Sequence, residues 1–270
     1  MLRATDVEFA YARAPVLRGV SVEIPDRSFV GILGPNGSGK TTLLKVLAGT
    51  IEASRGRVTL DGKDLTQASR NAIARRMAVV PQETHLAFDY TVLEVVLMGR
   101  YPHLGTFQVE GPADIAIARD ALAATGTAPF EDRVFATLSG GEKQRVVIAA
   151  ALAQIAGSNG GGSLLLLDEP TAALDLAYQL EVSALLRDLQ HRRQIAIVVS
   201  THDLNFAASV CRTLVLLRDG RVLAWGPTRD VLTPENVRAL YGVEADVREH
   251  DAAGHLVVVP IARTPPGVGW

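Results

Sequence analysis

The chain has 270 residues, 48% of them hydrophobic and 21% charged, which excludes disorder, collagen and coiled coil as whole-chain descriptions and fits one large or two intimate globular domains. Its 27 basic and 29 acidic residues leave a formal net charge of −2, so no global field draws in nucleic acid and none is expected as a partner. Cys211 is the one cysteine, which rules out an intrachain disulfide or a cysteine cluster around a metal and fits a reducing compartment.

At the start of the chain, MLRATDVEF carries charges at Arg3, Asp6 and Glu8 with no apolar run behind them, so a cleaved secretion signal is not expected. LRATDVEFAY and VLRGVSVEIP alternate in part between apolar and polar residues and predict a small antiparallel layer. Short β-rich runs follow at 29–33, 58–60, 78–80, 164–167, 195–200 and 214–217, alternating with helical stretches. LLLL and IAIVVS are apolar throughout, as strands buried on both faces of a helix-covered parallel sheet are, so the class is α/β. From Gln82 to about Ser139 the strand signals stop and helical periodicity takes over, broken at Pro102, Gly105, Gly111 and Pro112. This predicts a helical insertion at 83–159 in a single domain whose core is 1–82 and 160–224.

The longest uncharged stretch, 146–167, is interrupted by Gln154, Asn159 and glycines, and its apolar part falls short of the ~20 residues a membrane helix needs. A soluble chain is expected. GSNGGGS at 157–163 reads as a tolerated surface loop, and the extension at 225–270 as helix, turn and strand. There is no internal repeat.

The chemistry starts at GPNGSGKTT, directly after the strand FVGIL and before the helical LLKVLAG. It matches G-x-x-x-x-G-K-[ST] in the strand–loop–helix context the motif requires. Gly34, Gly37 and Gly39 let the backbone bend so that N–H groups converge on phosphate oxygens, and the helix N-terminus adds positive potential. Lys40 is placed to neutralise β- and γ-phosphate charge, and Thr41 to put its hydroxyl on Mg²⁺. Only four of the 27 basic residues are lysine (Lys40, Lys45, Lys63 and Lys143), so lysine rather than arginine at position 40 points to a specific demand. LLLLDEP is a buried strand ending in two acids, an expensive arrangement unless a cation or water uses the charges. Successive strand side chains point oppositely, so two roles are expected: Asp168 on the Mg²⁺ side, and Glu169 as general base toward the water attacking the γ-phosphate. LSGGEKQR has Ser139 and Glu142 at capping-box spacing. The paired Gly140 and Gly141 also leave bare amides at a helix start, which is an anion site.

GPNGSGKTT, LSGGEKQR, LLLLDEP, AALD (172–175) and STHD (200–203), in this order, resemble the ATPase subunit of ATP-binding-cassette (ABC) transporters, from about Leu2 to Tyr241. The resemblance implies a P-loop NTPase (RecA-like) core with an N-terminal antiparallel β layer and an inserted helical subdomain. It implies a homodimer in which each MgATP lies between one subunit's P-loop (Gly34, Pro35, Asn36, Gly37, Ser38, Gly39, Lys40, Thr41, Thr42) and the other's Ser139, Gly140, Gly141 and Glu142. It further implies that Tyr11 stacks on adenine, that Gln82 touches Mg²⁺ and the attacking water while linking to the membrane partner, that His202 contacts the γ-phosphate, and that Asp175 couples the two sites. AALD departs from many relatives in having Ala172 and Ala173 where serine precedes the alanine; the residues of hydrolysis are all present.

GRYPH (99–103), AALD (172–175), HDLN (202–205) and VLTPENVRALYGVEADV resemble the ATPases of bacterial importers for ferric siderophores, haem and cobalamin, although Pro102 alone would make GRYPH a helix-ending turn. That likeness implies separate permease subunits, a periplasmic or lipid-anchored substrate-binding protein and a peripheral place on the cytoplasmic face of the inner membrane. The rival classes are a soluble ABC-type ATPase of translation or DNA repair, an exporter ATPase and a nucleotide-binding regulator. The first usually carries two cassettes or a coiled-coil insertion, the second is usually fused to its membrane domain, and the third would be expected to lack Glu169 or His202.

Overall fold

A computed structural model describes residues 1–84, 86–157, 162–172 and 174–263. In chain order the elements are β1 (Leu2–Tyr11), β2 (Ala14–Ile24), β3 (Phe29–Leu33), α1 (Lys40–Leu47), β4 (Arg55–Leu60), β5 (Lys63–Asp64), α2 (Arg70–Arg76), β6 (Met77–Val80), α3 (Val92–Met98), α4 (Pro112–Ala124) and α5 (Gly140–Ile155). There follow β7 (Leu164–Asp168), α6 (Leu176–Arg193), β8 (Ala196–Thr201), α7 (Leu204–Val210), β9 (Thr213–Arg218), β10 (Arg221–Pro227), α8 (Thr228–Val231), α9 (Pro234–Tyr241), β11 (Val243–His250) and β12 (His255–Arg263).

The central sheet has strand order β10-β9-β3-β8-β7-β6, parallel except for β10 at one edge. Every residue of β3, β7 and β8 is buried, as their unbroken apolar sequences predict. The two faces nevertheless keep the period of two. Leu165, Leu167, Ile197 and Val199 pack in one core with α3 to α7, while Leu164, Leu166, Ala196 and Val198 pack in the other with Leu43, Leu44 and Leu47 of α1. The second core is closed by the antiparallel sheet β2-β1-β4-β5 through Leu2, Val20, Val22 and Leu60. Each such aliphatic side chain contributes ~1.5–3 kcal/mol by leaving water. The run at 58–60 therefore belongs to the antiparallel layer, where Leu60 pairs with Leu2, and not to the parallel sheet.

In the helical insertion, α3 begins with a formed capping box between Thr91 and Glu94 and packs with α4 and α5. GRYPH is the clasp between α3 and α5. A Cβ on Gly99 would lie 2.2 Å from the Ala150 carbonyl oxygen, so only glycine permits that approach. Buried Arg100 pairs with Asp114 at 3.0 Å and donates to the Ala153 carbonyl at 2.6 Å, at the C-terminal end of α5. His103 Nε2 lies 2.7 Å from the Gln154 carbonyl oxygen. Burial, more than any other influence, holds the His103 imidazole below its usual pKa.

β10 carries the central sheet on to Pro227, into the segment read as an extension. Beyond it α9 is framed by Thr233 as N-cap, Pro234 at its first position and Gly242 in the left-handed conformation (φ 67°) at its end. The tail then forms a two-stranded hairpin, β11 and β12, instead of one strand. VEADVREH does not look like a strand because only Ala245 of β11 is buried. Four residues of the 157–163 loop, at 158–161, lie outside the described residues. Cys211 is buried beneath Gly31, whose missing Cβ would fall 2.8 Å from its Sγ; burial pushes the thiol far up, so it is a packing residue.

Candidate functional site: a nucleotide cradle at the carboxyl edge of the parallel sheet

The loop after β3 is held open by glycine geometry. A Cβ on Gly34 would sit 2.2 Å from the Leu217 carbonyl oxygen, and Gly39, at φ 103°, starts α1 without any side-chain cap. The first N–H groups of α1 are therefore left for a ligand. The turn is fixed by Gly34 N–H to the Thr201 carbonyl (3.3 Å), Ser38 N–H to that of Pro35 (3.2 Å) and Gly220 N–H to that of Ser38 (3.1 Å). Ser38 Oγ is buried without a partner, while Asn36, Gly37 and Thr41 are exposed and Thr42 is buried. An orphaned hydroxyl in a loop whose helix donors are also free marks a place where an external acceptor belongs.

Lys40 is 5% exposed and folds back over this loop, donating to the carbonyls of Gly34 (3.0 Å) and Pro35 (3.2 Å) and pairing with Glu169 Oε1 at 3.1 Å. Glu169 Oε2 meets His202 Nδ1 at 2.8 Å, with Glu169 11% and His202 48% exposed. Glu169 has φ 46°, in the left-handed region, at a cost of ~1–3 kcal/mol for a non-glycine residue. The twist explains how adjacent acids of one strand end reach the same site on different partners. Asp168 stays in β7 and accepts from Ser200 Oγ at 2.5 Å, whereas Ser200 Oγ accepts from the Glu169 N–H at 3.1 Å. The two adjacent acids thus differ in their partners and in backbone conformation.

These residues converge because β3, β8, β7 and β6 are neighbours and parallel, so the loops that leave them open at one edge, where α/β sheets bind ligands. Val80 pairs with Leu167, so Gln82 stands beyond β6 at the level of Glu169; it is exposed and has no hydrogen bond to another described residue. Tyr11, at the end of β1, is 50% exposed and stands edge-on to Phe9 with ring centroids 4.9 Å apart. The antiparallel layer meets the cradle where a Cβ on Gly39 would lie 3.2 Å from the Val16 carbonyl oxygen.

Ser139 and Glu142 do form a capping box on α5: Ser139 N–H donates to Glu142 Oε2 (2.8 Å) and Glu142 N–H to Ser139 Oγ (3.3 Å). That backbone bond first, and the Ser139 side chain second, hold the Glu142 carboxyl below its usual pKa. The two glycines between them differ. A Cβ on Gly141 would lie 2.4 Å from the Tyr178 ring, so packing against α6 alone requires glycine there. At Gly140 the nearest atom would be at 3.7 Å, an ordinary contact, so packing does not require the missing side chain. No hydrogen bond or ion pair among the described residues joins Ser139–Glu142 to Lys40 or Glu169. Asp175 caps α6 by accepting from the Tyr178 N–H at 3.1 Å; Ala173 of the AALD motif lies outside the described residues.

Three polar residues of the site had no role assigned from sequence. Ser200 carried a signal, being a hydroxyl inside a buried strand end. Asn205 and Tyr241 carried none, because their partners, Val258 and the His202 carbonyl, lie 53 and 39 residues away.

The fold and the cradle define a P-loop nucleotide-binding protein. Residues 17–172 match the family model described as ABC transporter. The chain is 43% identical over 262 residues to the hemin import ATP-binding protein HmuV of Bordetella pertussis, covering 96% of this chain and 98% of that one. It is 43% identical over 256 residues to the cobalamin import ATP-binding protein BtuD of Halobacterium salinarum, covering 95% of this chain; it spans 62% of the length of that relative. A solved ABC transporter in an inward-facing conformation superposes with a TM-score of 0.83 at 30% identity, covering 96% of each chain. The chain belongs to the ABC transporter family, as an ATPase cassette. None of its described helices is long and apolar enough to cross a membrane.

Proposed function

We propose that this chain is the ATP-hydrolysing subunit of an importer for metal chelates such as haem, cobalamin or ferric siderophores. It acts as a homodimer with separate permease subunits and a substrate-binding protein, peripherally on the cytoplasmic face of the inner membrane. The observation that carries the catalytic part is Glu169 suspended between Lys40 and His202 beside a phosphate loop with unused donors. The cargo class rests on the likeness to hemin and cobalamin import proteins.

Lys40 has an internal anion, and an entering triphosphate offers it another. When Lys40 turns to the phosphates, Glu169 Oε1 is released and can accept a proton from water. The water oxygen bonds to the γ-phosphorus, the bond to the β–γ bridging oxygen breaks, and ADP and phosphate result. His202 steadies the second carboxylate oxygen and reaches the γ-phosphate with its exposed side. Tyr11, half-exposed at the end of β1, serves as the adenine platform.

Thr41, Gln82 and Asp168 would hold Mg²⁺, and the residues fit it: an exposed hydroxyl, an exposed amide and a carboxylate suit an ion that keeps waters and takes phosphate oxygens. When bound it neutralises phosphate charge. Ser139, Gly140 and the amides behind them form the second wall of the partner subunit's site. Glu142 holds that turn, Gly141 lets it pack on α6, and Asp175 sits at the junction between the walls.

Two experiments test the reading. Glu169→Gln keeps ATP binding and loses turnover by ~10²–10⁴-fold; undiminished hydrolysis removes Glu169 as the base. Mild-detergent capture of the tagged protein from its native membranes brings down a multispanning permease, and a bound haem, corrinoid or siderophore chromophore identifies the cargo. Recovery of ribosomal or nucleic-acid-linked partners instead, with ATP turnover intact, moves the protein to the soluble ATPases.

A further inference from the structure

The segment that carries His202 leaves the core strand β8 and is bonded to the C-terminal extension at two points. Tyr241, the last residue of α9, donates its hydroxyl to the His202 carbonyl at 3.0 Å. Three residues on, Asn205 accepts from the Val258 N–H at 2.8 Å and donates to the Val258 carbonyl at 3.2 Å. One side-chain amide thus reproduces a two-bond backbone pairing and fastens β12 to the first turn of α7. Between these anchors Asp203 caps α7 through the N–H groups of Asn205 and Phe206, both at 2.9 Å, and its own N–H donates to Thr201 Oγ1 at 3.0 Å. The main chain of the segment is pinned on both sides of His202, while the imidazole stays 48% exposed with Glu169 as its hydrogen-bonding partner.

Docking alone does not require this. Val231, Val237, Leu240, Ala245 and Val258 already bury the extension's apolar side in the core. Yet both the Tyr241 hydroxyl and the paired main-chain groups of Val258 land on the His202–Asn205 turn. Burial, and after it the charges of Asp203 and Glu169, push the Tyr241 phenol up and keep it a donor. A backbone carbonyl fixed from outside sets where its imidazole can stand, and a small displacement of a catalytic group lowers turnover without loosening substrate.

We infer that the C-terminal extension positions His202 for hydrolysis, with Tyr241 and Asn205 as positioning residues that act through the His202 backbone. This rests on the hydrolytic reading of Glu169 and His202, and it makes the extension a lever: whatever shifts α9 or the β11–β12 hairpin shifts His202 relative to Glu169.

The test uses the full chain. Tyr241→Phe keeps the ring and removes the hydroxyl. Its kcat for MgATP is expected to fall about 2- to 10-fold, the range of one lost hydrogen bond, with KM unchanged and the unfolding midpoint lowered by no more than a few degrees, as the loss of one such bond allows. In histidine-labelled protein the His202 imidazole resonance, assigned by its loss in His202→Ala, moves while the other histidine signals stay. Asn205→Asp, which can still accept from the Val258 N–H but no longer donates, gives the same pattern more weakly and serves if the tyrosine variant fails to fold. Unchanged kcat with an unmoved His202 signal overturns the inference. So does a fall in kcat that comes with raised KM, a midpoint lowered beyond that and movement of every histidine signal, since that is general loosening. If Glu169→Gln hydrolyses ATP like the parent protein, the hydrolytic reading fails instead, and the movement of the His202 signal still reports whether the extension holds that residue.

Discussion

Lys40 is paired with Glu169 at 3.1 Å, so the carboxylate competes with ATP for the same ammonium group. Glu169→Gln removes the competing charge and keeps the shape. The pair is well buried, at 5% and 11% exposure, and a buried pair broken by deleting one partner costs ~3–5 kcal/mol. Glutamine can still accept from Lys40 and donate to His202, and the carbonyls of Gly34 and Pro35 stay in place, so the net cost is ~1–3 kcal/mol, the worth of a charge-assisted hydrogen bond. That cost falls on the nucleotide-free state only, because phosphate charge replaces the carboxylate when ATP is bound. The variant is therefore expected to melt ~2–10 °C lower without nucleotide. It should also bind MgATP ~5- to 150-fold tighter, since a coupling of this size acts on both equilibria. Differential scanning calorimetry with and without MgATP, and titration with a fluorescent ATP analogue, give the two numbers. A variant that melts like the parent and binds ATP no tighter would refute the competition.

The two glycines of LSGGE should separate packing from ligand binding. Gly141→Ala forces a methyl group into the Tyr178 ring and is expected to destabilise the chain by ~1–3 kcal/mol, whereas Gly140→Ala leaves the urea midpoint unchanged and lowers only ATP turnover. A stable Gly141→Ala protein would show that α6 gives way. The Asp114 carboxyl is held below its usual pKa first by the Gly111 N–H and then by Arg100, so it stabilises the fold above its unfolded pKa, near 3.8. That contribution is lost as the pH falls through the lower folded value. Urea unfolding of Asp114→Asn should accordingly show a smaller loss of stability between pH 5 and about pH 3 than the parent. An identical acid limb would mean that Asp114 titrates alike folded and unfolded.

What could be read in the sequence was whatever depends on neighbours along the chain. FVGIL followed by GPNGSGKTT gave strand, loop and helix; LLLL and IAIVVS gave strands buried on both faces; Ser139 and Glu142 gave a capping box that is formed. What could not be read depends on residues brought together by the fold. Glycine at 141 looked like a bared amide, but its requirement comes from Tyr178, 37 positions away. VEADVREH hid β11 because a hairpin with one face in water need not be apolar. The left-handed turn at Glu169, by which two adjacent acids share one site, follows from its N–H bonding to Ser200 of the neighbouring strand.

Several of the charged and polar site residues share a second property: each already has a partner within the chain. Lys40 holds two carbonyls and Glu169, Asp168 holds Ser200, Ser139 and Glu142 hold each other, and Asp175 caps α6. A ligand must therefore exchange partners as it enters, and the free-energy difference between the states is the difference of two similar sets of bonds. Such near-balance lets modest ligand energy move a population. The exchange has a direction. The bond surrendered by Lys40 involves Glu169, and Glu169 is joined to His202, whose backbone is fastened to α9 and whose α7 is fastened to β12. A charge arriving at Lys40 is thus three contacts from the C-terminal extension, through Glu169 and His202 to Tyr241, which is the route the positioning inference predicts between the phosphate loop and the far end of the chain.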